Sequence, residues 1–544
     1  MKKSIKFLAA AILGLAAVAC SSPEKMAEMA ERVIVTSNPA VLEVVGGEIN
    51  ADITVTYPED YFHPKAILEV TPVIVFEGGE SKHEPFMFQG QKVKNNYQVV
   101  PSEGATVTKK VKFAYVPGME KSHLELRGTV KYKAKSADLP VKKVADGANT
   151  TYMLACQKGK VDYKADGYQE IIKQTAEGQI LYQINSSYVR NNQLKSQSIK
   201  DFQAALDEIK ANERKTLVGT DVVAYASPDG KEDQNNKLSD NRSKSAEKAF
   251  GKVTKKHPVE GPVNVQSVGE DWEGFQELVA ESDLADKDLI IRVLSMYSDP
   301  AVREKEIKNM SAVYSTLAKQ VLPELRRARF IANVEYTNFT NAELLQLIEE
   351  NIDVLDETAI LRAATLVKED AQKVELYKKA AEKFNSNAAQ YNLAVTYLHM
   401  DDLAKAKAAL AKCEKDGDWN NAMGVVALRE DNKAEAAKYF AAAKTTAANA
   451  NLALLDILAG DYKAAAAKLG NCKCFNAALA QLLVGNYAPA AALEGDCAKS
   501  AYLRAVAAAR QGKAADVKKN LEAASKCEKL AARAAKDIEF AQYR

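Results

Sequence analysis

The stretch with the clearest chemical potential is AYASPDGKEDQNNKLSDNRSKSA, residues Ala224–Ala246. It is predicted to be a strand that ends in a tight turn, followed by a polar loop and a helix that carries one arginine. A guanidinium grips a carboxylate through two parallel hydrogen bonds, and a carboxylate pairs with an ammonium group. Arg242 and Asp229 are the residues of the stretch that could make such contacts, and Ser227 and Asn235 are polar residues close to them in the sequence. The stretch either forms a functional ligand-binding pocket or keeps the fold of such a pocket without all the residues that binding requires.

The charged residues of this stretch also have simpler structural interpretations. SPDG matches the preferred residues of a type I turn, which would make Asp229 a turn residue that points to water. Arg242 could pair with Asp221 or Asp240 nearby. The hydroxyl of Ser227 can accept a hydrogen bond, but it cannot neutralise the charge of a bound ammonium group as a carboxylate would. Losing one partner of a buried charge pair typically costs about 2–5 kcal/mol. The sequence therefore favours a pocket fold whose ligand-binding residues are incomplete.

Motifs of the common enzyme classes are missing from the sequence. It has no Gly-rich phosphate loop, no HExxH, no nucleophile elbow and no Ser/His/Asp set that the fold would bring together. The five histidines are scattered, and none lies at ligand spacing to a cysteine. Most of the six cysteines after Cys20 are therefore predicted to be small buried hydrophobes; the six are Cys156, Cys413, Cys472, Cys474, Cys497 and Cys527. We expect no catalysis, no metal and no cofactor.

The elements around the Ala224–Ala246 stretch mix strands and helices. ILYQIN, LVGTDVVAYA, VNVQSV and RFIANVEY have the character of strands, and SIKDFQAALDEIK places four apolar residues on one helical face. Further helical segments precede the last strand. Residues 168–338 are therefore predicted to form an α/β domain with a helical insertion.

The preceding region has a different periodicity. EINADITVTY and HLELRGTVKYKAK alternate apolar and polar residues, and turn signals such as VVGGE and VPGME separate the runs. Several short strands without a helical period predict an all-β sandwich over residues 32–165.

The remainder of the chain, residues 341–544, is helical and rich in alanine. Its units repeat an apolar helix, a turn such as Asp401-Asp402 or Gly460-Asp461, and a second helix with alanines at close intervals. No single hairpin of this kind buries its own apolar face, so the hairpins must stack into a solenoid.

The first residues, MKKSIKFLAAAILGLAAVAC, have a basic start and an apolar run too short to span a membrane. Residues 1–19 are predicted to be a signal peptide, with residues 20–31 as a tether behind it. AVAC resembles a bacterial lipobox, which implies lipidation of Cys20 and a membrane anchor. The formal charge of +2 gives no reason to expect a nucleic-acid partner.

Two further regions resemble known families. The middle segment, with VVAYA, Asn235, LSDNR and VGED in that order, is similar to OmpA-type domains, which hold outer membranes to peptidoglycan. Asn392-Leu393-Ala394, Tyr397 and Ala406 fit the pattern of tetratricopeptide repeats (TPRs). The whole chain resembles outer-membrane lipoproteins of Bacteroidetes of the immunoreactive-antigen type, with an OmpA-like domain and TPRs.

The OmpA resemblance implies that an aspartate after the second strand and an arginine in the helix clamp the diamino acid of the wall peptide. Arg242 matches that arginine, but Ser227 stands where the family has its aspartate. Asp229 is the nearby acid that could replace it, and Asn235 matches the asparagine ahead of the LSxxR motif. The clamp is therefore incomplete at its acidic side.

Three hypotheses follow, all without catalysis. The first is an envelope scaffold, lipid-anchored in the outer membrane, whose TPR groove binds other envelope proteins. The second is a tether to peptidoglycan through Arg242 and Asp229. The third is a surface adhesin or fimbria-associated antigen. SSPEK after Cys20 has only one acidic residue, which favours the periplasmic face over the cell surface.

Overall fold

The computed structural model describes residues 23–258, 260–284 and 286–544. The predicted signal peptide and Cys20 lie outside these residues. Within them, residues 23–164 pack with residues 390–544 into one compact unit, and residues 165–389 form a second. This grouping differs from the predicted domain list, because it joins the β-rich region to most of the helical repeats. No helix in the described ranges is long and apolar enough to cross a membrane.

The N-terminal region is built almost entirely of strands. Its short first helix, α1 (Pro23–Glu28), lies in the predicted tether and buries Met26. The strands are β1 (Ile34–Asn38), β2 (Val41–Val45), β3 (Glu48–Tyr57), β4 (Ile67–Phe76), β5 (Gly79–Lys82), β6 (Phe86–Gln89), β7 (Gln98–Val99), β8 (Ala105–Ala114), β9 (Ser122–Tyr132), β10 (Lys135–Asp138) and β11 (Lys142–Asn149).

These strands form one connected sheet of eleven rather than the two separate sheets of the predicted sandwich. Its main path runs β1-β3-β2-β11-β9-β4-β6-β7, with β8, β5 and β10 paired alongside. The two arms are joined because β2 pairs with β3 on one side and with β11 on the other. The sheet bends into a half-barrel, so that Tyr57 of β3 comes within 5.9 Å of Phe88 of β6, centroid to centroid.

The second unit is centred on a four-stranded mixed sheet. Its elements are β12 (Ile171–Leu181), α2 (Gln197–Ala211), β13 (Lys215–Ala226), α3 (Glu232–Val253), β14 (Val263–Glu270), α4 (Trp272–Glu281), α5 (Lys287–Met296), α6 (Pro300–Asn309), α7 (Ser311–Gln320), β15 (Arg327–Thr337), α8 (Asn341–Glu350), α9 (Glu357–Leu366) and α10 (Asp370–Phe384). The strand order is β12-β15-β13-β14, and only β13 and β14 are parallel.

The core of this unit follows from the apolar faces of α2 and α3. Ile199, Phe202 and Leu206 of α2 pack with Phe250 of α3 and with Phe330 of β15. Helices α4–α7 bury a separate apolar cluster of their own. This arrangement leaves the loop after β13 and the start of α3 close to the helical insertion.

The C-terminal region consists of helical hairpins, consistent with a TPR-like solenoid. Its helices are α11 (Asn387–His399), α12 (Leu403–Leu410), α13 (Gly417–Arg429), α14 (Lys433–Ala443), α15 (Thr446–Ala459), α16 (Tyr462–Leu469), α17 (Phe475–Leu483), α18 (Ala488–Ala491), α19 (Ala498–Arg510), α20 (Ala514–Ala524) and α21 (Glu528–Lys536).

The turns of the first hairpins share one chemistry. A residue with left-handed backbone, Asp401, Asp431 or Gly460, ends the first helix. The following residue caps the second helix: the side chain of Asp402 accepts a hydrogen bond from the amide of Lys405, and Asn432 and Asp461 do the same in the next hairpins. The repeated turn signals of the sequence therefore mark real hairpin tips.

Candidate binding sites: a buried arginine and an asparagine ladder

Arg242 lies on α3 and is 1% exposed. Its guanidinium donates hydrogen bonds to three main-chain carbonyl oxygens: Nε to Ser186 at 2.9 Å, one terminal nitrogen to Tyr225 at 2.9 Å, and the other to Gln183 at 3.3 Å. The ring of Tyr182 lies 5.0 Å from the guanidinium carbon. Burial lowers the pKa of Arg242 to about 10, because the guanidinium loses water and gains hydrogen bonds to neutral carbonyl oxygens.

The predicted pairing of Arg242 with Asp221 or Asp240 is wrong. The carboxylate of Asp221 accepts hydrogen bonds from the side-chain amides of Asn264 at 3.1 Å and Asn333 at 2.7 Å. These partners lie on neighbouring strands of the sheet. The arginine instead links α3 to the end of β13 and to the loop that follows β12.

The interpretation of Asp229 as a water-facing turn residue is also wrong. Its carboxylate accepts a hydrogen bond from the Ser227 hydroxyl at 2.6 Å and pairs with the Arg326 guanidinium at 3.1 Å. Arg326 Nε in turn lies 3.3 Å from the Ser227 hydroxyl, and both charged side chains are largely buried. Arg326 precedes β15 and is far away in sequence, so turn statistics could not reveal this pair.

Asn235 closes the cluster on its other side. Its amide nitrogen donates to the carbonyl oxygen of Ser227 at 3.2 Å and to the carboxylate of Glu270 at 2.8 Å. The indole of Trp272 donates to the second oxygen of Glu270 at 2.9 Å. Burial raises the pKa of Glu270, and these two hydrogen bonds offset part of the effect.

The structure thus brings Ser227, Asp229 and Asn235 together by direct hydrogen bonds, and Asn235 lies on α3, the helix that also carries Arg242. It adds Arg326, which sequence reasoning missed. The cluster has the parts of a zwitterion clamp, but Arg326 pairs with the Asp229 carboxylate, Asn235 and Trp272 donate to the Glu270 carboxylate, and carbonyl oxygens accept from the Arg242 guanidinium. A ligand would have to displace these partners, leaving a buried charge unpaired, which typically costs about 3–5 kcal/mol.

A second candidate site lies in the other unit, where four asparagines of the helical repeats hold residues 156–164 of the same chain. We call this row the asparagine ladder: Asn392 on α11, Asn421 on α13, Asn451 on α15 and Asn476 on α17. Three of them are 1% or 2% exposed, the exception being Asn476. Buried amides of this kind must be hydrogen-bonded, and here their partners belong to a main chain.

Three rungs of the ladder have the same two-bond geometry. The Asn392 side chain accepts from the amide of Lys164 at 2.8 Å and donates to its carbonyl oxygen at 3.1 Å. Asn451 accepts from the amide of Lys160 at 2.6 Å and donates to its carbonyl oxygen at 2.8 Å. Asn476 binds Cys156 in the same way, at 2.7 and 3.2 Å. The contacted residues are four positions apart; the step from Lys164 to Lys160 spans two hairpins of the array, and the step from Lys160 to Cys156 spans one.

Asn421 completes the row between two of these rungs. It donates to the carbonyl oxygen of Lys160 at 2.9 Å, and its own side-chain oxygen accepts from Asn451 at 2.9 Å. Arg429 of the same helix adds a bond from its Nε to the carbonyl oxygen of Lys158 at 2.8 Å. The hydrogen bonds that the ladder and Arg429 make with the bound segment all involve its main-chain atoms. They therefore select an extended backbone conformation rather than a particular amino-acid sequence.

Side-chain contacts fix the register of the bound segment. Lys164 forms ion pairs with Asp416 and, at 3.7 Å, with Asp418. Burial alone would lower the pKa of Lys164, but the hydrogen bond and charge of Asp416 outweigh it and raise the pKa. Gly159 has φ of +76°, and a Cβ there would lie 2.8 Å from a methyl carbon of Val425. Only glycine therefore fits that position without displacement.

The sequence contains a recurring pattern from which the asparagine ladder could have been predicted. Asn392 and Asn451 both occur in Asn-Leu-Ala, and Asn476 is followed by Ala-Ala, always on the first helix of a hairpin. A buried polar residue recurring on one helix of each unit indicates a shared polar partner. The prediction that most cysteines are buried is wrong: the six described cysteines are exposed or half-buried, and none is in a disulfide.

Comparisons with known proteins give little further information. No family model matches the sequence, and no curated protein matches it. Among solved structures, the APC/C hetero-tetramer Cut9-Hcn1 aligns with a TM-score of 0.31 and 10% identity, over 54% of this chain and 70% of that chain. A TM-score this low does not establish a shared fold.

Proposed function

We propose that this protein is a non-catalytic scaffold whose helical repeats bind an extended polypeptide through main-chain hydrogen bonds. The observation that carries the proposal is the asparagine ladder, which presents paired acceptor and donor atoms along one line of the array. Main-chain recognition is how extended peptides gain affinity on a protein surface, with side-chain pockets adding selectivity. Gly159, with the Lys164 ion pairs, supplies that selectivity here.

Residues 156–164 of the same chain already occupy the ladder. Any other polypeptide must therefore compete with this segment. An intramolecular segment acts at a high effective concentration, on the order of millimolar for a short linker. Another protein therefore enters the ladder only by displacing this segment, and otherwise docks elsewhere. The scaffold holds its β-rich region against its own repeats, and envelope proteins remain its proposed partners.

The displacement step can be tested with the chain's own segment as probe. A labelled peptide of residues 154–166 is titrated into the wild-type protein and into Lys160→Pro/Lys164→Pro, which lacks two of the amides that the ladder binds. We expect binding to the proline variant and at least tenfold weaker binding to the wild type. Adding Asn392→Ala/Asn451→Ala should abolish it. A folded proline variant that binds no peptide would contradict the proposal.

For location, we propose that Cys20 is lipidated and that the protein sits at the periplasmic face of the outer membrane. The support is the lipobox-like AVAC and the sparse acidic residues after it. Incorporation of a labelled fatty acid into the wild type but not into Cys20→Ser tests the anchor. Protease treatment of intact cells tests the side, because a periplasmic protein stays uncleaved until the outer membrane is opened.

Peptidoglycan tethering through an OmpA-like domain is the second candidate. It is supported by the proximity of Ser227, Asp229 and Asn235 at the start of the helix that carries Arg242. The Arg326–Asp229 pair opposes it. We expect purified sacculi to retain neither the wild type nor Arg242→Ala. Retention of the wild type and its loss in Arg242→Ala would establish the tether instead.

A further inference from the structure

The half-barrel of the N-terminal region lines a partly open cavity of about 270 Å³. We call it the tyrosine cavity. Its walls are mainly aliphatic, with Val55 of β3, Leu68 and Val70 of β4 and Leu126 of β9 among them. At roughly 30 Å³ for each water-sized unit, the space holds about nine such units. A space of this size and character suits an apolar ligand better than a row of waters.

Two buried tyrosines also belong to this lining. Tyr57 is 4% and Tyr61 0% exposed, both line the cavity, and their rings stack with centroids 5.8 Å apart. Burial raises the pKa of Tyr61 to about 12, so the group is a donor at physiological pH. A buried tyrosine hydroxyl normally has a hydrogen-bond partner, and an oxygen atom of a bound ligand can act as one.

Some of the residues that line the cavity lie close in sequence to Cys20, and this indicates which class of ligand the cavity binds. Ala30, Glu31 and Val33 form one side of it, and Ala30 is ten positions after Cys20. Helix α1, between them, is held in place by the buried Met26. Half-buried Lys142 and exposed Glu31 add opposite charges to the lining. The cavity is thus close in sequence to the proposed attachment point of acyl chains.

We propose that the tyrosine cavity binds an acyl chain on the order of ten carbons, whose carbonyl or carboxylate oxygen accepts hydrogen bonds from Tyr57 and Tyr61. Each methylene transferred from water into such a site contributes about 0.8 kcal/mol, so the aliphatic walls supply most of the affinity. The chain comes either from the protein's own lipid at Cys20 or from a free fatty acid. The first source depends on the proposed lipidation, whereas the second does not.

Calorimetric titration with sodium decanoate, below its critical micelle concentration, tests the site on the full mature chain. Two forms are compared: the native protein and Cys20→Ser, which carries no lipid. Binding to Cys20→Ser alone identifies the protein's own acyl chain as the natural occupant. Binding to both identifies a free fatty acid. Binding to neither overturns the proposal, whatever the outcome of the lipidation experiment.

Two variants in the Cys20→Ser background locate the site. Tyr57→Phe/Tyr61→Phe removes both donors but keeps both rings, and we expect affinity for decanoate to fall about tenfold. Val70→Phe fills the cavity, and we expect no binding. Val99→Phe, on the exposed edge strand β7, is the control and should bind like its parent. If Val70→Phe has an unchanged melting temperature and still binds decanoate, the acyl chain is not in this cavity.

Discussion

Asn451 grips both main-chain polar atoms of Lys160, although the two residues are 291 positions apart in sequence. Its side-chain oxygen accepts from the Lys160 amide at 2.6 Å, and its nitrogen donates to the Lys160 carbonyl oxygen at 2.8 Å. The same nitrogen also donates to Asn421 at 2.9 Å. This pair links the segment after the β-rich region to the middle of the helical repeats, and it gives the first prediction.

Replacement of Asn451 by alanine should lower the free energy of unfolding of the first unit by about 3 kcal/mol, because two buried main-chain groups and Asn421 lose a partner. The protein has two tryptophans, so the fluorescence of Trp419 during urea unfolding reports this unit in a Trp272→Phe background. Asn449→Ala is the matched control on the same helix. Its exposed side chain bonds only the carbonyl oxygen of Lys468, and its effect should stay within about 0.5 kcal/mol.

Gly159→Ala should destabilise the same unit by about 1–3 kcal/mol, since the new methyl group meets Val425 and the backbone is left-handed. Gly485→Ala is the control for the backbone contribution, because Gly485 is also left-handed but has no atom within 4 Å of a new Cβ. The difference between the two variants measures the contact itself. Val425→Ala should recover part of the loss in a double-mutant cycle. Equal effects of both glycine replacements would show that the contact is absent.

The Lys164–Asp416 pair predicts a pH dependence. The pKa of Asp416 is lowered: burial would raise it, but the Lys164 hydrogen bond and main-chain donors outweigh burial. A carboxylate with a lowered folded-state pKa stabilises the fold above its ordinary value of 3.8, and this contribution disappears as pH falls through the folded-state value. The stability difference between wild type and Lys164→Met should therefore shrink as pH falls from 6 towards 3. A difference that stays constant or grows would rule out the pair.

Sequence patterns predicted the local elements well and the long-range partners poorly. The alternation in EINADITVTY corresponds to the alternating burial of β3, and the turn signals at Asp401 and Gly460 correspond to hairpin tips. These features depend on neighbouring residues only. The ladder depends on repeats aligning Asn392, Asn421 and Asn451 on one line, opposite a segment more than 200 residues away.

The predicted clamp around Arg242 shows the same limit. Its arginine and asparagine were identified from their order along the chain. Their partners were not, because Arg326 lies 97 positions from Asp229 and the acceptors of Arg242 are main-chain oxygens, which have no side-chain signature. The sequence motif therefore located the cluster. Only the structure shows that its charged groups already have hydrogen-bond or ion-pair partners within the protein.

Arg242→Lys should lower the stability of the second unit by about 2 kcal/mol, because an ammonium group cannot reproduce the planar fork that reaches three carbonyl oxygens. Trp272 fluorescence in a Trp419→Phe background reports this unit. Lys244→Ala, at an exposed position of the same helix, should change stability by less than about 0.5 kcal/mol. A neutral Arg242→Lys variant would mean that the carbonyl network is not formed.

Hydrogen–deuterium exchange at the amides of Lys160 and Lys164 is the most direct measurement of the occupied ladder. In the full-length wild-type protein both amides should exchange at least a hundredfold more slowly than in a free peptide of residues 154–166. Protection should be lost in Asn392→Ala/Asn451→Ala and kept in Asn449→Ala. If both amides of the wild type exchange at the rate of the free peptide, residues 156–164 do not occupy the ladder.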